Sequence, residues 1–236
     1  MNLSVQTPDL VLTAIVLVGM LQVAWLSVAL FRRRVARDVI QKSIPPLFAI
    51  WVVMWPIYHD PRWIWAGIGM LACFVLLPLL LRRPFWRDLR RAWAAPPSPV
   101  DYRLKKPTPF WPLAFFVATL GIAAGLFQSI PEFGLGIALT VCLAQPAASW
   151  LDHFGFLALG FPAHPQQTLP GHLLLVLAAA GLCSWSVHVY HGIDWQPLLM
   201  ATSVAGIAAS VARALVPGSW NQPAAAAAMG VVLWLL

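Results

Sequence analysis

From Leu10 to Phe31 the chain carries no charged residue, and from Trp63 to Leu81 it carries none again. A helix needs about 20 apolar residues to cross a bilayer. Only a helix satisfies all of its own backbone groups inside a segment of that kind. Further apolar runs read as spans at Ile44 to Tyr58, Phe110 to Phe127, Phe133 to Leu151, Leu173 to Tyr190, Leu198 to Leu215 and Pro223 to Leu236. The fold class expected is therefore all-α, a polytopic transmembrane helical bundle of about eight spans. Seven remain if the last span is re-entrant, or the second, which is short and holds Pro45, Pro46 and Pro56.

Composition agrees. Of the 236 residues, 60% are hydrophobic and 10% charged, whereas a soluble domain carries about 25% charged residues. Thirteen tryptophans suit a chain with two membrane interfaces. Cys73, Cys142 and Cys183 lie inside apolar runs without CxxC spacing, so neither a disulfide framework nor a zinc site is expected. The first apolar run has no basic residue before it and Arg32-Arg33-Arg34 after it, which reads as a retained span rather than a cleaved leader.

Three regions follow. Residues 1–81 hold three spans, residues 82–109 form a basic loop, and residues 110–236 hold the remaining spans. In the loop, Phe85, Trp86, Leu89 and Trp93 alternate with arginines at helical spacing. That pattern predicts an amphipathic helix lying on anionic headgroups, with residues 82–106 as the contact. The second half is Pro-rich and reads as a linker. Gly121 and Gly125 form a GxxxG pair, and Ala201, Ala205 and Ala209 a small-residue row, both suited to close helix packing.

Charge sets the orientation. With the N-terminus outside and eight spans, the loops at 32–43, 82–109, 152–172 and 216–222 face the cytoplasm. Of the 15 Lys and Arg residues, all but Arg62 fall in or beside those loops. The net charge of +7 is thus a topology signal, and no nucleic-acid partner is expected. The expected location is the inner (plasma) membrane.

The polar residues that could carry chemistry gather on that cytoplasmic side. Asp152 follows the fifth span, where a carboxylate opposes the helix dipole. It either caps a following segment over 153–161 or binds a cation or phosphate group. His153, His164 and His172 sit nearby as individually weak candidates. Arg213, at the end of the seventh span, either pairs with Asp152, holds a phosphate, or snorkels to the surface. His188, His191 and Asp194 have ligand-like spacing at the opposite end, with little else to recommend a metal there.

Asp152, Gly155, Gly160 and Gln167-Thr168-Leu-Pro-Gly171, followed by Trp220-Asn221-Gln-Pro223, resemble the CTP-dependent lipid enzymes of membranes. These are phosphatidate cytidylyltransferase and the dolichol, phytol and diacylglycerol kinases. Arg37-Asp38-Val-Ile-Gln41 sits where the kinase branch carries a basic segment ending in histidine. The resemblance covers roughly the last 90 residues plus this short piece. It implies a membrane lipid substrate and CTP, with either CMP passed to a lipid phosphate or the γ-phosphoryl passed to a lipid hydroxyl. It further implies Mg²⁺ on Asp152 as the catalytic acid, with Gln167, Thr168, Gly171, Arg213 and Asn221 toward nucleotide and phosphate. Three positions depart from the family: Gln167 replaces lysine, Gln41 replaces histidine and Trp220 replaces aspartate. The alternative is a catalytically degenerate homologue acting as a membrane scaffold or binding protein. A solute transporter is disfavoured, because ionisable residues are nearly absent near the bilayer midplane.

Overall fold

The computed structural model describes residues 7–94, 111–155, 157, 167–217 and 220–235. The Pro-rich half of the basic loop, His164 and Gly160 lie outside those residues. The described chain is an all-α bundle. Its helices are α1 (Thr7–Arg32), α2 (Arg37–Val53), α3 (Arg62–Leu80), α4 (Pro84–Trp93) and α5 (Trp111–Ser129), then α6 (Pro131–Leu139), α7 (Gln145–His153), α8 (Leu169–His191), α9 (Trp195–Leu215) and α10 (Asn221–Leu235). A π turn, Thr140–Ala144, joins α6 to α7.

Seven segments are long and apolar enough to cross a membrane, so the chain is a multi-pass membrane protein. α10 occupies the expected eighth position but has 15 residues, short of the ~20 a full crossing needs. α2 starts at Arg37 rather than Ile44 and runs through Pro45 and Pro46. With its 3₁₀ extension to Ile57 it is a full span, and a tight turn closed by Asp60 Oδ1 on the Arg62 N–H (2.9 Å) leads into α3.

The span Pro131–His153 is the axis of the bundle. Its apolar window is 72% buried, against 33–44% for the other six. α2, α5 and α8 pack around it. The π turn sits at its centre for a stereochemical reason. Pro146 has no N–H to give, and its ring would strike the carbonyl four residues back in a regular helix. Widening the preceding turn relieves that clash. Gly136 lets α8 approach, since a Cβ there would lie 2.9 Å from Cys183 Sγ. Gly206 does the same between α8 and α9, where a Cβ would lie 2.7 Å from the Val176 carbonyl oxygen. Ala205 and Ala209 are fully buried in the small-residue row. A Cβ built at Gly121 or Gly125 would lie 4.0 or 3.9 Å from the Trp65 ring of α3, an ordinary contact distance.

α4 departs from expectation. It is amphipathic, but its apolar side faces protein, not lipid. Leu89, Ala92 and Trp93 are buried, Trp86 and Trp93 pack on Phe74 of α3, and Gln41 Nε2 donates to the Trp93 carbonyl at 2.8 Å. Asp88 pairs with Arg32 at 3.0 Å. Arg82, Arg83, Arg87, Arg90 and Arg91 remain exposed on the other side. The three surrounding helices supply an apolar seat, and burying Leu89 and Trp93 there competes with any insertion into headgroups.

Candidate functional site

α7 ends at His153 because Gly155 takes a left-handed conformation (φ +63°), a position where a Cβ would be strained. This leaves Asp152 in the last turn of α7, beside the first turn of α8. α8 begins at Leu169, with Thr168 as its N-cap: Thr168 Oγ1 accepts from the Gly171 N–H at 3.1 Å, and Pro170 sits where no intrahelical donor is needed. The short polar segment Gln167-Thr168 is thereby buried between α7, α8 and α9 rather than spread on the surface.

The segment 153–161, which Asp152 was expected to cap, lies largely outside the described residues. Asp152 caps the start of α8 from a distance of 16 residues. Its Oδ1 accepts from both the Thr168 backbone N–H and Thr168 Oγ1, each at 2.9 Å. Its Oδ2 accepts from Arg213 Nη2 in a close ion pair. The same Nη2 reaches Ser149 Oγ at 3.3 Å. Arg213 does not snorkel; it is only 6% exposed. A buried charge left alone carries a penalty of several kcal/mol, so each partner requires the other.

The network continues through Gln167. Its Nε2 donates to the Arg213 carbonyl at 3.1 Å, which leaves Oε1 as an acceptor toward His172 Nε2 at 2.9 Å. His172 Nε2 therefore carries the proton. In the neutral ring Nδ1 then accepts from Ser210 Oγ at 2.6 Å. Asp152, Thr168, Gln167, His172, Ser210 and Arg213 thus form one continuous chain of hydrogen bonds across α7, α8 and α9. Gly171 lies at its centre, where a Cβ would overlap Asp152 Oδ1 and come within 3.0 Å of the Ala148 carbonyl oxygen.

Five of the six residues expected at a CTP site thus come together: Asp152, Gln167, Thr168, Gly171 and Arg213. Asn221 stands apart, at the start of α10, with no bond to them among the described residues. Neighbouring Trp220 packs on Phe115 with ring centres 4.5 Å apart and planes tilted by 54°. His153 faces Asp38 of α2 at 3.7 Å. At the opposite end of α8, His191 pairs with Glu132 at 3.0 Å and His188 Nδ1 meets the Ile193 carbonyl at 2.7 Å, so these histidines do not converge on a common ligand.

The donor set does not fit Mg²⁺. That ion takes carboxylate and other oxygens with free lone pairs in octahedral array. Asp152 is one carboxylate whose oxygens already accept three bonds, one from a guanidinium. No second acid joins it, and no group of three or more His, Cys, Asp or Glu suited to a metal occurs among the described residues. The anion side is also committed. The Gly171 N–H at the mouth of α8 is taken by Thr168 Oγ1, and one arm of Arg213 by Asp152. Arg213 Nη1 is buried and has no partner among the described residues.

Three residues of this region, Ser149, Ser210 and Gln145, were not expected as site members, and His172 was expected only as an individually weak candidate. Ser149, His172 and Ser210 are polar positions on otherwise apolar helices, four residues or fewer from a network member on the same helix face or in the same turn. Gln145 is a buried polar residue directly after the π turn; its Nε2 reaches the Gln222 carbonyl of α10 at 3.5 Å, and its Oε1 is buried without a partner. A polar residue inside an apolar span was the available signal in each case. No protein-family model, curated protein or solved structure matches this chain.

Proposed function

We propose that this chain is a non-catalytic membrane protein, a scaffold or binding protein built on the helical frame of the CTP-dependent lipid enzymes. The observation that carries this reading is the engagement of both Asp152 oxygens by Thr168 and Arg213. A catalytic acid must present free oxygens to a metal or a reacting group. Here the same carboxylate locks α7, α8 and α9 together. The absence of lysine at Gln167 points the same way, because Gln167 spends its amide on Arg213 and His172 instead of on a phosphate.

The proposed orientation places the N-terminus outside and this network at the cytoplasmic ends of α7, α8 and α9, in the inner membrane. The exposed arginines of α4 then face anionic headgroups of that leaflet, as juxtamembrane basic groups do. A cysteine at Ser98, in a Cys73→Ser background, is expected to resist impermeant thiol reagents in intact cells. Labelling from outside would reverse the orientation.

The functional test uses purified protein in lipid with Mg²⁺, offered phosphatidate, diacylglycerol and polyprenol. CTP is labelled at the α position in one reaction and at the γ position in another. The expected result is unlabelled lipid in both, from protein shown to be folded. Lipid labelled from α would establish cytidylyl transfer, and label from γ a kinase; either would overturn the non-catalytic reading.

A further inference from the structure

Apart from the residues of that network, α1 and α2 together line an apolar groove of about 1010 Å³. On α1 its wall runs from Val11 to Leu26, roughly 22 Å at 1.5 Å per residue. On the other side it is walled by Leu47 and Ile50 of α2 and by Met54 just past its end. Gly19 forms its floor, and a Cβ built there meets nothing within 4 Å. One polar side chain lines this groove deep in the span: Gln22.

Gln22 is exposed to whatever fills the groove, and it makes no hydrogen bond to any described residue. It lies ten residues before Arg32, which ends the helix, hence about 15 Å below that end and near the middle of a ~30 Å hydrocarbon layer. A primary amide in hydrocarbon without a partner carries a penalty of several kcal/mol. A lipid tail filling the groove has no donor or acceptor and leaves that penalty in place. A helix bearing an amide at the same depth removes it. The segment that carries an amide at this depth by construction is α1 of a second copy. An amide both donates and accepts, so one Gln22 is complementary to another across a two-fold axis, the commonest symmetry of homo-oligomers.

We propose that two copies of this chain associate through this groove, α1 of each protomer seated between α1 and α2 of its partner, with the Gln22 amides paired at the axis. Gly19 lets the helices approach closely, and the pair of amides fixes their depth and register. This assignment is independent of whether the chain turns over a substrate.

The test is subunit counting of the full-length protein in vesicles over a range of protein-to-lipid ratios. The expected result is a monomer–dimer equilibrium. Gln22→Leu should weaken it by about 3- to 30-fold, the range for interhelical polar contacts in membranes. Gly19→Phe, which fills open space in the single copy, should abolish it. Val18→Cys in a Cys73→Ser background should give a disulfide-linked dimer on mild oxidation. Monomers at every dilution would overturn the proposal, as would a dimer insensitive to Gln22→Leu or to Gly19→Phe, which would place the contact elsewhere.

Discussion

Asp152→Ala is expected to destabilise the folded protein by about 3–5 kcal/mol, the usual result of removing one partner from a buried ion pair. The substitution strands Arg213, which is 6% exposed, and frees two donors of Thr168 at the start of α8. Both effects act in the same direction. A reversible unfolding measurement in mixed micelles reads the loss directly. The opposite outcome, a variant as stable as wild type or more so, is what a carboxylate held in strain for catalysis would give, since functional sites often sit at some expense of stability.

Gly171→Ala is expected to destabilise by about 2–3 kcal/mol, toward the upper end for overpacking in a tight core. The added methyl has nowhere to go. One neighbour is the Asp152 carboxylate, fixed by three hydrogen bonds, and another is the Ala148 backbone oxygen at 3.0 Å. Gly181→Ala on the same helix is the control, because a Cβ there meets nothing within 4 Å. It should be neutral or stabilising by less than about 1 kcal/mol, through helix propensity alone. Equal stability of the two variants would show that Gly171 is not pressed against the network.

The fold was largely legible because hydrophobic length is a local property. Runs such as Leu10 to Phe31 and Trp63 to Leu81 announce helices within two or three residues of their observed ends. The start of α2 was not, since Arg37 to Ser43 is polar and becomes helical through tertiary contacts, Gln41 with the end of α4 among them. The destination of α4 was not legible either. An arginine-rich amphipathic helix reads alike whether its apolar side meets lipid or protein, and only the arrangement of α1, α2 and α3 decides. For the candidate site, Asp152 and Arg213 could be paired as opposite charges at the same end of the bundle. What periodicity cannot carry is the 16-residue reach from Asp152 to Thr168, or the 38-residue reach from His172 to Ser210. Those contacts join the ligand-like residues into one hydrogen-bonded network, and on them rests the proposal that Asp152 is a fastener rather than a metal holder.

The most direct measurement is therefore a double-mutant cycle on Asp152→Ala and Arg213→Met, read as unfolding free energy. A structural fastener predicts a coupling of about 1–3 kcal/mol, the range for directly paired groups, with the double variant more stable than Asp152→Ala alone because no stranded charge remains. Additive effects, with a coupling below about 0.5 kcal/mol, would show that the two side chains do not hold one another, and the account of this site as a closed structural network would fail.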